Sequence, residues 1–180
     1  MNTITRKMAL TVGAFLVSVT VAHAQSVLPD TTKTTTFTAT VSEQATITVP
    51  AGVAFTVANT ALSTAATPAS VTVTSIVLAT ATKQLLVSLQ ANAAAFTPPV
   101  ALATTWSASD VTWNLAAWTS ATGAAGTLSS AAYNTVATCA ADTAACSTTA
   151  LVFTLGAKST VRRSGNHTLV VTWKFESIGT

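Results

Sequence analysis

The chain has 180 residues, of which only 7% are charged, against roughly a quarter in an ordinary soluble domain. Its formal charge of +3 includes Arg6 and Lys7, which belong to an N-terminal segment that reads as a signal peptide; beyond residue 24, six Lys/Arg face five Asp/Glu. So small an excess gives no case for the dense basic surface of a nucleic-acid-binding protein.

The N-terminal segment has the three parts that export requires. Arg6 and Lys7 supply the charge, residues 8–22 (MALTVGAFLVSVTVA) supply the apolar run, and Ala22-His23-Ala24 supplies the small-x-small cleavage pattern. The run is shorter than the ~20 apolar residues of a spanning helix, so no membrane span is expected once it is removed. No cysteine stands at the cleavage point to carry a lipid. The expected mature chain begins at Gln25 and has 156 residues, one domain's worth, placed outside the cell, at its surface or in the periplasm. A surface of Thr, Ser and Ala has little like-charge repulsion to hold copies apart.

Residues 33–41, KTTTFTATV, open the mature region with a strand-like alternation. Thr34, Thr36, Thr38 and Thr40 share one face, and Thr35, Phe37, Ala39 and Val41 share the other. In QATITV, Ala45, Ile47 and Val49 alternate with threonines. After a Pro50-Ala51-Gly52 turn, Val53, Phe55 and Val57 alternate with Ala54, Thr56 and Ala58. The run SVTVTSIVLAT changes phase between Val73 and Ile76, which predicts a bulge near Ser75 or burial on both faces. Further strands are predicted around Leu85, Val87 and Leu89; Val111, Trp113 and Leu115; Leu151, Phe153 and Leu155; and Leu169, Val171, Trp173 and Phe175. The last follows a turn at Arg163-Ser164-Gly165-Asn166. No segment sustains a 3.6-residue period. The pattern predicts an all-β chain, an antiparallel, Ig-like β-sandwich of about seven to nine strands. The alternation fails over residues 117–148, which therefore read as a long loop, or as a place where weak strands or a short helix go unrecognised.

Within that stretch lies CAADTAAC. Two cysteines at short spacing in an exported chain predict a disulfide between Cys139 and Cys146, worth about 2.5 kcal/mol by loop closure. Metal binding is not expected, since His167 is the only histidine beyond the signal segment and is remote in sequence. No cofactor is implied, and no enzyme. The acids Asp30, Glu43, Asp110, Asp142 and Glu176 are scattered, and no serine sits in a G-x-S-x-G elbow. His167, just after a turn, reads as a strand-end residue. Among the tryptophans, Trp113 and Trp173 fall on apolar strand faces and are expected in the core. Trp106 and Trp118 lie outside clear alternation. With Tyr133 they would form a sugar-binding platform if all three shared an exposed face, which is the alternative reading of a carbohydrate- or ligand-binding module.

Taken together, the signal peptide, the strand at residues 34–41 and the closing Gly165-Asn166-His167-Thr168-Leu169-Val170-Val171-Thr172-Trp173 resemble bacterial fimbrial and pilus subunits of the spore-coat-U and chaperone–usher types. The chain departs from the chaperone–usher pattern in its late cysteine pair and in a C-terminus, SIGT, without a penultimate tyrosine. The resemblance implies a structural, self-associating surface protein in which an N-terminal strand of one subunit completes the sheet of another. Thr35, Phe37, Ala39 and Val41 would be the donor set, and the partners would be copies of the chain or other surface subunits. The same stretch could instead be the first strand of its own sandwich.

Overall fold

A computed structural model describes Thr32 and residues 34–180; the expected signal peptide and its cleavage point lie outside the described residues. Threonine, valine and alanine in alternation favour a pleated chain with one face against a core, and the result is eleven strands. These are β1 (Gln44–Thr48), β2 (Thr64–Ala65), β3 (Ala69–Val77), β4 (Gln84–Ala91), β5 (Val111–Trp113), β6 (Ala121–Gly123), β7 (Gly126–Thr127), β8 (Asn134–Cys139), β9 (Cys146–Leu151), β10 (Phe153–Leu155) and β11 (Val171–Ile178). They form three antiparallel sheets, in the orders β1-β3-β9, β2-β10-β5-β7 and β11-β4-β8-β6. The all-β, sandwich-like architecture is the one the alternation predicts. The two strands beyond nine are accounted for by β2 and β7, which span only two residues each. A single 3-10 turn, Ala108–Asp110, is the only helical element among the described residues.

The bulge predicted near Ser75 is present. Ser75 has a φ of 52°, and the β1–β3 register slips between Gln44↔Val77 and Thr46↔Thr74. Val71 and Val73 face the core before it and Ile76 packs against the core after it, so the extra residue restores inward orientation.

Residues 117–148 are not a loop. They contain β6, β7, β8 and the start of β9. The alternation is hidden there because adjacent Val136 and Ala137 are both buried and the β4–β8 register shifts opposite them. Alanine and threonine are also small enough to sit on either face without marking it. The disulfide Cys139–Cys146 spans 5.8 Å between Cα atoms and joins β8 to β9, so it clips one sheet to another rather than merely closing a turn. Beside it, Thr119 and Ser147 exchange backbone hydrogen bonds of 2.8 and 3.2 Å, a second tie between the β9 edge and the chain entering β6.

The core runs from Val71 and Val73 through Val87 and Leu89 to Leu151, Phe153 and Leu155. Trp113 lies within it and donates its indole N–H to the Ala124 carbonyl at 2.9 Å. Gly126 is required beneath that ring, since a Cβ there would overlap the indole.

The chain divides into two units, Met1–Ala39 and Thr40–Thr180. Of the first, the described residues are exposed and belong to no strand or helix.

Candidate functional site

The edge strands β1 and β11 have a ladder partner on one side only, β3 for β1 and β4 for β11, whereas the edge strand β9 is also bridged to Thr119. Their side chains show what is unusual about these edges. Directly opposed residues of an antiparallel pair share a face. Ile47 of β1 opposes Val73, which is completely buried, yet Ile47 itself is 41% exposed. Likewise Val171, Trp173 and Phe175 of β11 oppose Ala91, Leu89 and Val87, all buried, but are themselves only partly covered. Trp173 and Phe175 stack on each other, ring centroids 6.4 Å apart and planes within 19°. Among the described residues, the core layers of both sheets thus run out to edge strands that lack their cover.

The two edges meet at one corner. A single Glu43 oxygen accepts from the Lys83 ammonium at 2.9 Å, the Ala79 amide at 2.7 Å and the Ser177 hydroxyl at 3.3 Å. This ties the residue before β1 to the end of β11 and to the turn before β4. The Lys83 hydrogen bond, then that of Ala79, holds the Glu43 carboxyl below the ordinary carboxylate range.

Residues 53–57 add a third unfinished piece. Val53, Phe55 and Val57 pack against the core while the intervening residues are exposed, which is strand-like burial, but no ladder includes them.

The expected donor residues Thr35, Phe37, Ala39 and Val41 are all exposed and in no strand, with Phe37 93% exposed. The alternative of a sugar platform on Trp106, Trp118 and Tyr133 fails its condition of one shared exposed face. Trp106 is 5% exposed, donates to the Gly156 carbonyl at 2.9 Å and belongs to the core. Trp118 is half-buried against Gly123. The Tyr133 ring carries the Lys174 ammonium 5.6 Å from its centroid. Trp106 was invisible as a core residue because it lies outside any strand, just before the 3-10 turn. Trp113 is buried as expected, whereas Trp173 is only partly so, since it lies on the edge strand.

The ionisable groups are mostly spent on structure. Asp110 accepts from Lys158 at 2.8 Å and from the Ser107 amide at 2.7 Å. Partial burial pushes its carboxyl up, but these bonds outweigh it and leave the group below its ordinary value. Glu176 pairs with Lys174 at 2.7 Å. His167 bonds Thr105 Oγ1 through Nδ1 at 2.7 Å and the Arg163 carbonyl through Nε2 at 3.1 Å, and it meets Trp106 edge-on. A carbonyl only accepts, so Nε2 is the protonated nitrogen of that bond. Among the described residues no three His, Cys, Asp or Glu side chains are grouped to hold a metal ion, and no helix is long and apolar enough to cross a membrane.

Comparison of the chain with protein-family models, with curated proteins and with solved structures returned no match.

Proposed function

We propose that this is an exported structural protein that self-associates by β-strand addition, with residues 34–41 of one copy taking the open edges of another. The observation that carries this reading is the half-covered core layer on β1 and β11, where Ile47, Trp173 and Phe175 lie beside unpaired backbone edges. An added strand answers both needs, since its amides and carbonyls pair with a free edge while alternate side chains cover the apolar row. Residues 34–41 are eight in number and alternate as such a strand must, and β11 also has eight residues. Burying Phe37 and Val41 would contribute about 1.5–3 kcal/mol each before ordering costs.

Donation to a second copy is favoured over folding back. Only Ser42 and Glu43 separate Val41 from β1, so a return beside β1 needs a two-residue hairpin. Such turns call for Gly, Asn or Asp at positions of positive φ, and Ser-Glu supplies none of them. Export is supported by the signal-like N-terminal sequence and by the disulfide.

The test is deletion of residues 25–41. The expected product is a folded monomer by circular dichroism and size-exclusion chromatography that binds a synthetic peptide of residues 33–41. Phe37→Asp should block assembly of the intact chain, because an unpaired carboxylate in an apolar groove costs several kcal/mol, whereas Thr38→Asp should leave assembly in place. An unfolded truncation would show that the segment belongs to its own sandwich and would overturn the proposal.

A further inference from the structure

Charge is so scarce here that uncancelled charge is conspicuous. Each described lysine has a carboxylate partner: Lys83 with Glu43, Lys158 with Asp110 and Lys174 with Glu176, at 2.9, 2.8 and 2.7 Å. Arg162 and Arg163 have none among the described residues. They are adjacent, exposed, and line an open pocket of about 340 Å³ with Leu102, Ala103, Thr104 and Thr160, a volume at the small end of ligand sites.

The two walls of this pocket are fastened to each other. Thr97 and Thr168 exchange backbone hydrogen bonds of 2.7 and 3.0 Å. The His167 ring spans from Thr105 on one wall to the Arg163 carbonyl on the other. Val161, next to the arginines, is buried, and its amide bonds the Lys158 carbonyl at 3.0 Å. Gly165, at φ 122°, lets the turn approach Pro99, whose Cβ would lie 2.7 Å from any side chain placed there. The arginines therefore rise from a braced base, which lowers the ordering cost of binding.

Leu102 stands at the lip, fully exposed and with a φ of 65°. A bulky residue in the left-handed region is an outlier, and within its own chain Leu102 gains no burial in return. A strained, exposed apolar side chain beside two unpaired guanidiniums suits a ligand with an anionic group next to an apolar face.

We propose that this pocket binds the carboxylate of an acidic sugar. The guanidinium pair takes the carboxylate in the planar, forked geometry that arginine favours. Leu102 lies against the C–H face of the ring, and the Thr104 and Thr160 hydroxyls meet its hydroxyl groups. No sheet edge lines the pocket to hold an extended peptide, and one exposed leucine with two cations is a small footprint for a membrane surface. The site does not depend on the assembly reading.

The test is calorimetric titration of the purified full chain with a galacturonate trimer, a neutral galactose trimer of equal length, and inorganic phosphate. The proposal expects saturable binding of the acidic trimer alone. Arg162→Gln with Arg163→Gln should weaken it at least about tenfold with an unchanged melting temperature, because charge-assisted bonds are the strong ones. Leu102→Ser should weaken it less, and Lys174→Gln should leave it intact. Equal binding of the neutral trimer, phosphate binding as tight as the acidic trimer's, undiminished binding by the double variant, or no binding of the acidic trimer would each overturn it.

Discussion

Two regions of this molecule are built from the same kind of sequence and end in different states. Around β8, β9, β10 and β5, three of the strands lie between two ladder partners, and β9, the edge of its sheet, is held by the disulfide and by its bridge to Thr119. The disulfide clips β8 to β9, the Thr119–Ser147 bridge closes the gap beside it, and Leu151, Phe153 and Leu155 are buried. At the edge strands β1 and β11 the alternation is just as regular, and the β4–β11 ladder runs eight pairs without a slip. Yet Ile47, Trp173 and Phe175 remain partly open. The difference is not in hydrophobicity but in whether a neighbouring strand is present, so burial here reports on missing partners.

That contrast can be broken by substitution. The largest effect is expected for Trp113→Ala in the closed region, about 3–5 kcal/mol in chemical denaturation, because it empties a buried indole site and orphans the Ala124 carbonyl. Replacing Cys139 and Cys146 together with serine should come next, costing about 2–4 kcal/mol, since the bridge joins two sheets and both sulfurs are buried. A fully folded, equally stable double variant would show that the Thr119–Ser147 bridge suffices. Trp173→Ala at the open edge should cost the monomer only about 1–2 kcal/mol, as its ring is already partly in water. A cost equal to that of Trp113→Ala would erase the distinction between the two regions.

The smallest expected effect is on acid stability. Asp110 and Glu43 both titrate below their ordinary values of 3.8 and 4.5. A carboxylate depressed by folding adds stability that is present above the ordinary value and is lost as pH falls through the folded one. Asp110→Asn should therefore cost about 1 kcal/mol or less at neutral pH and flatten the loss of stability below the ordinary aspartate range. Glu43→Gln should change the acid limb less, because Glu43 is the more solvent-screened of the two. Denaturation midpoints across an acid pH series would rank them.

Alternation alone determined much of this protein. Period-two patterning with threonine on one face favours strands that bury the other, and it placed β1, β3, β4, β5, β10, β11 and the bulge at Ser75, though residues 34–41 and 53–57 carry the same pattern without joining a ladder; cysteine spacing placed the disulfide. The strands within residues 117–148 were not legible, because alanine, threonine and glycine fit either face of a sheet and Val136 and Ala137 are buried side by side. Nor was the fate of Trp106, a core residue outside any strand, or the partnering of the lysines that leaves Arg162 and Arg163 without an ion pair among the described residues. Above all, the periodicity of β1 and β11 marks an inward face without saying whether anything will cover it. Which strands lie side by side depends on contacts between residues far apart in the chain, and only the tertiary structure decided that these two edges would be left open.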